Sequence, residues 1–230
     1  MKRLLLLTLA CALLFLSACG SGTSSTPTSS TDASAQFSGS QSNSVPSSDE
    51  AQPYVIPDPI VYTGSGDDVI VIEPFDDDIW VLTITGNSEG RHFAVKGYDD
   101  ASNSTELFVN TTNPYHGTTL DPSLSTSLLE ISATGDWTIV LRSAYEMETI
   151  SAGQTISGTG DSVLNVIDAG KTAYITGNTD SHHFAVKSYG FESNSLMVNT
   201  TDPYEGTVML KGDPFLMTVS AEGDWTITFD

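Results

Sequence analysis

The residues best suited to chemistry occur in pairs, because the chain from Ile60 to Asp230 contains the same sequence blocks twice. Both copies carry HFAVK, which puts a histidine and a lysine on one strand face, and both carry a PY step that ends in tyrosine. Such side chains offer a ligand hydrogen bonds, positive charge and aromatic surface. The predicted ligand-binding residues are His92, Lys96, Tyr98 and Tyr115 in the first copy, and His183, Lys187, Tyr189 and Tyr204 in the second. The alternative is that these side chains are solvated or stabilise turns.

Carboxylates in the GxGD turns suggest one cofactor, calcium. Asp67 and Asp68 stand in the first such turn and Asp161 in the second, and hard oxygen ligands of this kind suit Ca²⁺. Against a metal site, the chain has no DxDxDG spacing, and Ser162 replaces the second aspartate in the second copy. No other cofactor is expected.

The sequence does not favour catalysis. It contains no GxSxG elbow and no HExxH pair. Its two cysteines, Cys11 and Cys19, both precede the repeated region, so the repeats have no thiol for catalysis, disulfides or metal binding. We therefore predict that the protein is not an enzyme.

The first residues have the features of a bacterial lipoprotein signal peptide. Lys2 and Arg3 precede an apolar run, and LSACG, which resembles the lipobox, follows it. We predict a signal peptide at residues 1–18 and lipidation of Cys19, so that the protein is exported and anchored to the bacterial cell membrane, facing outside the cytoplasm. The alternatives are an ordinary signal peptide cleaved nearby, or a short core helix.

Composition then divides the rest of the chain. Residues 19–52 are rich in Ser and Thr and poor in aromatic residues, which predicts a disordered tether. The two copies are offset by about 90 residues, longer than the roughly 20 to 50 residues of a solenoid unit. We predict two tandem domains, at residues 53–143 and 154–230, joined by a short linker at residues 144–153.

Within each copy, short segments rich in Val, Ile, Thr, Tyr and Phe are bounded by Gly, Asn, Asp and Pro. This pattern predicts seven or eight strands, and hence an all-β fold of two antiparallel, jelly-roll-like β-sandwiches. Trp137 and Trp225 lie at equivalent strand positions and are predicted to fill the two cores. The glycines of the GxG steps, such as Gly64 and Gly66, are predicted to supply positive backbone angles in hairpins.

The order of these blocks, from GxGDxV through FxVK and LxVNTxxPYxGT to AxGDWTI, resembles a small all-β domain of exported bacterial proteins. It is similar in size and strand pattern to pre-peptidase C-terminal-like domains and to carbohydrate-binding β-sandwiches. The resemblance covers both copies and implies a binding accessory fold. It transfers no catalytic or ligand residue to this chain.

These features together predict a non-catalytic cell-envelope lipoprotein whose tandem sandwiches act as a binding or adhesion module for glycan, cell wall or protein. The alternative is a structural spacer, or a calcium-stabilised accessory domain without a ligand of its own. A formal charge of −21 excludes nucleic acid as a partner, since both would carry negative charge. A glycan platform would require an exposed aromatic strip on one face that includes Tyr98, Tyr115, Tyr189 or Tyr204.

Overall fold

A computed structural model describes residues 54–75 and 78–230, all of which belong to one compact unit, Gln52–Asp230. The predicted signal peptide, the lipidated Cys19 and the predicted tether at residues 19–52 lie outside the described residues. Within the described residues, none of the helical segments has the length and hydropathy needed to span a bilayer.

Repeat 1 forms two four-stranded antiparallel sheets. Its strands are β1 (Ile60–Ser65), β2 (Asp68–Val71), β3 (Trp80–Gly86), β4 (Phe93–Tyr98), β5 (Ser104–Thr111), β6 (Tyr115–Leu120), β7 (Leu128–Ser132) and β8 (Asp136–Ser143). The sheet orders are β1-β8-β3-β6 and β2-β7-β4-β5. These orders are those of an eight-stranded jelly roll, in which two Greek keys wrap into a double sheet.

Repeat 2 has the same architecture with one additional strand. A 3₁₀ helix (Ala144–Glu146) leads into β9 (Thr149–Ser151), followed by β10 (Thr155–Thr159), β11 (Ser162–Ile167), β12 (Thr172–Gly177), β13 (Phe184–Gly190), β14 (Asn194–Thr200), β15 (Tyr204–Met209), β16 (Pro214–Ser220) and β17 (Asp224–Phe229). The sheet orders are β10-β17-β12-β15 and β14-β13-β16-β11-β9. The prediction of antiparallel jelly-roll-like sandwiches is confirmed, except that β9 runs parallel to β11.

The segment between the repeats is part of the folded structure. Asn165 of β11 donates from its amide to the carbonyl oxygens of Ala144 and Met147, at 2.8 and 3.0 Å. Because β9 then pairs with β11, residues 144–151 are held along the edge of a repeat 2 sheet. The sequence suggested a plain linker here and gave no sign of this strand.

Each repeat is stabilised by its own apolar core between its two sheets. Trp137 and Trp225 are buried in the two cores, as predicted, and each indole Nε1 donates to the carbonyl oxygen of an equivalent glycine, Gly66 or Gly160, at 3.0 Å. The strand residues around them alternate between core and surface. The duplicated blocks therefore specify the same core twice.

The two glycines of the first GxG step have different roles, which corrects the prediction for one of them. Gly66 has φ 77°, a left-handed conformation that favours glycine, as expected. Gly64 instead lies within strand β1, where a Cβ atom would come within 2.2 Å of the Trp137 ring. Gly64 is thus required for close packing and not for a turn. Strand β1 was missed from the sequence because this glycine was interpreted as a hairpin residue.

Candidate functional site

The two repeats meet where strand β6 of repeat 1 approaches the beginning of β11 in repeat 2. The Thr118 amide donates to the carbonyl oxygen of Asp161 at 2.9 Å. The Tyr115 hydroxyl donates to Asp161 Oδ2 at 2.6 Å. A backbone bond and a side-chain bond therefore join the same two strands, and we call this contact the inter-repeat joint.

Apolar side chains from both repeats pack beside these hydrogen bonds. Val81 and Leu120 of repeat 1 form one buried cluster with Val163 and Leu216 of repeat 2, and Ala144 of the connecting segment completes it. Removing these surfaces from water stabilises the joint in the way a core does, at about 25 cal/mol for each Å² of apolar area. The joint therefore has both a directional polar part and an apolar part.

The turn before β11 holds Asp161 in place. Gly160 has φ 74° in the bend between β10 and β11, and the Ala221 amide donates to Asp161 Oδ1 at 2.9 Å. Because the carboxylate is largely buried, desolvation raises its pKa above the ordinary value, although the Tyr115 hydrogen bond acts in the opposite direction. Both oxygens of Asp161 thus already accept a hydrogen bond from the protein.

Tyr115 is held by packing on its other side. Its ring lies 6.4 Å from the Phe93 ring, centre to centre, at an interplanar angle of 50°. Gly117, two residues later, must lack a side chain, since a Cβ atom there would come within 2.7 Å of the tyrosine hydroxyl oxygen. Burial and the neighbouring Asp161 charge raise the pKa of Tyr115, so its hydroxyl keeps its proton and acts as a donor.

A cleft of about 470 Å³ opens beside the joint and is lined by both repeats. Its polar lining includes Asn110, Asn113, His116, Asp161, His183 and Glu222. Asn113 donates from its amide to Glu222 Oε2 at 3.2 Å, which is a second polar bond between the repeats. The cleft therefore exists only because the two repeats are docked.

Two histidines lie on the repeat 2 side of the joint, and one of them, His183, lines the cleft. His182 Nδ1 lies 3.6 Å from Glu222 Oε2, and His183 Nε2 lies 3.3 Å from Asn199 Oδ1. His183 is exposed, so its ring is accessible to solvent in the cleft. Asn110, Asn113, Asp161 and Glu222 bring side chains with acceptor oxygens to the lining, which suits a ligand that carries hydrogen-bond donors.

Comparisons with known proteins identify no family for this chain. No protein-family model matches it, and no curated protein matches it. Among solved structures, the chain is similar to the regulatory domain of Toxoplasma gondii PKA in its co-crystal structure with cAMP, with a TM-score of 0.21 and 9% sequence identity over 74% of this chain and 76% of that chain. At this TM-score the likeness indicates neither a shared fold nor a shared ligand.

The structure brings four of the predicted ligand residues to the joint. Tyr115 and His183 line the cleft. Lys187 and Tyr189 line a smaller cavity of about 90 Å³ on the other side of Asp161. Burial raises the pKa of Tyr189. The four residues thus line two cavities that share Asp161.

The other four predicted residues lie away from the joint. His92 is exposed. Lys96 Nζ is 3.9 Å from Glu130 Oε2, and the Tyr98 hydroxyl donates to that same oxygen at 2.6 Å. Tyr204 packs against Phe184 in repeat 2. All four predicted platform tyrosines are half-buried, so they do not form the exposed strip that a glycan platform would require.

The three aspartates proposed for calcium already accept backbone hydrogen bonds. Asp67 Oδ1 accepts from the Ala133 amide at 2.9 Å, and Asp68 Oδ1 accepts from the Val69 amide at 2.8 Å. Asp161 accepts from Ala221 and Tyr115, as described above. In the part of the chain that the structure describes, no group of three or more His, Cys, Asp or Glu side chains is arranged to hold a metal ion.

Three polar residues of the cleft were missed because the two copies differ there. Asn113, His116 and Glu222 align with Asp202, Glu205 and Thr134 in the other copy. A search for residues that both copies share does not find these three. They can be found by looking for positions where the aligned blocks differ and where one repeat contacts the other.

Proposed function

We propose that this protein is a non-catalytic binding module of the bacterial cell envelope, and that the cleft beside the inter-repeat joint is its ligand site. The cleft supports the proposal because its volume, about 470 Å³, lies within the roughly 300 to 1,000 Å³ of small-ligand sites. Its walls come from both repeats, which gives the duplication a role in building the site.

The polar lining suggests the chemistry of the ligand. Asn113 and Glu222 contribute acceptor oxygens to the cleft, while Leu107, which is exposed, supplies an apolar wall. A ligand with hydroxyl or amide donors beside apolar carbon, such as the end of a cell-wall glycan, fits this combination. A long glycan stacked on aromatic rings fits less well, because the tyrosines are half-buried.

Hydrogen bonding within the site supports a role without catalysis. Both oxygens of Asp161 are engaged by Ala221 and Tyr115, and His183 is close to Asn199. A general base needs a free acceptor within reach of the proton that it removes. The hydrogen bonds of Asp161 and His183 therefore favour a role in binding a ligand and in stabilising the joint over a role in proton transfer.

The proposed location of the module rests on the sequence alone. The lipobox-like LSACG supports export and a lipid anchor at Cys19, and the Ser/Thr-rich composition of residues 19–52 supports a tether. A flexible tether of this length would have an average reach of about 30 Å, which would allow the cleft to meet material beyond the membrane surface.

Calorimetric titration with soluble peptidoglycan fragments tests the proposal. The protein is used with Cys19 replaced by serine, so that it carries no lipid. We expect saturable binding that weakens about tenfold in His183→Ala and in Asn113→Ala, since each loses about one hydrogen bond to the ligand. His92→Ala is the matched control, because it is the equivalent histidine in repeat 1 and is outside the cleft.

The proposal fails if no fragment of cell-wall glycan and no envelope protein fraction is retained by the protein. It also fails if His183→Ala and Asn113→Ala bind as well as the wild type, because the ligand would then occupy another surface. Thermal unfolding of each variant confirms that the fold is intact.

A spacer role is the second candidate, and the joint favours it. Polar bonds, an apolar cluster and the paired β9 strand all fix the two repeats to each other. A spacer that acts as a rigid rod requires only that the two repeats be fixed to each other in this way. A spacer predicts that His183→Ala leaves every envelope phenotype unchanged, whereas Leu120→Asp, which disrupts the joint, alters them.

A further inference from the structure

The inter-repeat joint is made from two surfaces, and each repeat carries a copy of both. The first surface, which we call the tyrosine face, is used by repeat 1 at Tyr115, Thr118 and Leu120. The second, the aspartate face, is used by repeat 2 at Asp161 and Val163. Within residues 54–75 and 78–230, the tyrosine face of repeat 2 and the aspartate face of repeat 1 are unused.

The unused tyrosine face has the conformation of the used one. The Tyr204 ring lies 6.3 Å from the Phe184 ring at 47°, compared with 6.4 Å and 50° for Tyr115 and Phe93. Gly206 again leaves room for the hydroxyl, since a Cβ atom there would come within 2.9 Å of it. Tyr204 is therefore already held in the orientation that lets Tyr115 donate to an aspartate.

The backbone of this face is also equivalent. Thr118 lies opposite Thr83 in the β6–β3 pair, and its amide points outward to the carbonyl oxygen of Asp161. Thr207 lies opposite Tyr174, the equivalent residue, in the β15–β12 pair. The register places the Thr207 amide on the outer edge of β15, where it can donate to an incoming carbonyl group.

The unused aspartate face matches its counterpart in the same detail. Asp67 Oδ1 accepts from the Ala133 amide at 2.9 Å, as Asp161 Oδ1 does from Ala221 at 2.9 Å. The preceding glycines have φ 77° in Gly66 and 74° in Gly160. The second oxygen of Asp67 accepts no hydrogen bond from any residue within 54–75 and 78–230.

The apolar positions show the clearest difference between used and unused faces. Leu120 is 8% exposed in the joint, and its equivalent Met209 is 65% exposed. Val163 is 4% exposed, and its equivalent Val69 is 65% exposed. Exposed apolar residues on an open edge strand are a surface that favours association with another chain.

We propose that a second copy of this chain is the partner of these faces: the aspartate face of one molecule docks on the tyrosine face of the next, and Tyr204 donates to Asp67 as Tyr115 donates to Asp161. The contact is heterologous, so each dimer keeps one free face of each kind. Association therefore proceeds head to tail into longer rows of molecules.

Differences between the copies determine how strong this contact is. Asp68 replaces Ser162 on the aspartate face, and Glu205 replaces His116 beside Tyr204. The intermolecular contact thus brings carboxylates together, and their repulsion makes it weaker than the intramolecular joint. Added salt screens this repulsion, so association strengthens as ionic strength rises.

Sedimentation velocity tests the proposal, using the Cys19→Ser chain over a series of concentrations in low and high salt. We expect the weight-average mass to rise continuously with concentration, more strongly in high salt, without stopping at a dimer. A single monomeric species at every concentration up to the millimolar range would overturn the proposal.

Two charge variants test the head-to-tail arrangement. Val69→Asp alters only the aspartate face and Met209→Asp only the tyrosine face; both positions are 65% exposed, so the fold tolerates them. Each variant alone is expected to be monomeric, because one face of every contact is damaged. Mixed together, they form a dimer and nothing longer, since one intact face of each kind remains. If only one of the variants alters association, or if the mixture does not form a dimer, the contact is not head to tail.

Discussion

Repeat 1 and repeat 2 share the same sequence blocks but use the residues of these blocks differently at their two ends. Tyr115 reaches across to Asp161, whereas Tyr204 and Asp67, their equivalents, have no such partner within the described chain. The same side chains are therefore structural in one place and available in the other. What a duplicated residue does depends on whether the other repeat covers it.

The largest difference between the repeats is expected in the free energy of unfolding when the same charged residue is placed at a pair of equivalent positions, Val163 and Val69. Val163→Asp buries an unpaired carboxylate in the joint, which costs about 3 kcal/mol or more in the free energy of unfolding. Val69→Asp, at the exposed equivalent, changes it by less than about 0.5 kcal/mol. Urea unfolding followed by tryptophan fluorescence measures both at a protein concentration low enough to keep the chain monomeric. Equal effects of the two variants would contradict the burial of Val163 by repeat 1.

A smaller effect in the same direction is expected from shortening an apolar side chain. Leu120→Ala removes buried carbon atoms from the joint and lowers the free energy of unfolding by about 2 to 3 kcal/mol. Met209→Ala removes a side chain that is already in water and has little effect. The same unfolding experiment compares them. If Met209→Ala is as destabilising as Leu120→Ala, then strand β15 is covered even in the monomer.

The smallest effect concerns two aspartates on either side of the joint that respond to pH in opposite directions. Burial raises the pKa of Asp121, but hydrogen bonds from Ser123 and Thr126 outweigh it, so the net pKa is lowered from 3.8. Its contribution to stability is therefore present above the unfolded-state pKa and is lost as pH falls through the folded-state pKa. Burial raises the pKa of Asp161, so its folded form prefers the proton, and its contribution decreases as pH rises from the unfolded-state pKa through the folded one.

Unfolding free energies of Asp121→Asn and Asp161→Asn, each subtracted from the wild type over pH 3 to 7, measure these two contributions. The Asp121 difference should increase with pH, and the Asp161 difference should decrease. A common direction for both would show that Asp161 is solvated and that the joint is open.

The sequence predicted the fold well where local pattern and core coincide. Alternation in blocks such as GDWTI correctly indicated strands with buried Trp137 and Trp225. The sequence did not predict β1, because Gly64 was interpreted as a turn residue although it is needed for packing against Trp137. It also failed at β9, since Thr149–Ser151 is too short to show a period and is fixed only by pairing with β11.

The candidate site was only partly predictable, for a physical reason. Shared residues led to Tyr115, Asp161 and His183, which the structure brings together at the joint. Asn113 and Glu222 were missed, since a contact between unlike ends of two repeats selects for residues that differ between the copies. Which end of each repeat is covered depends on the docking of the repeats, and no local pattern encodes it.

A pair of double-mutant cycles tests the joint most directly. The first combines Tyr115→Phe with Asp161→Ala, and the second combines the equivalent changes Tyr204→Phe and Asp67→Ala, all measured by urea unfolding at low protein concentration. The first cycle should give a coupling energy of about 2 kcal/mol, as expected for a hydrogen bond to a carboxylate, and the second should give none. No coupling in the first cycle, or equal coupling in both, would contradict the asymmetric joint.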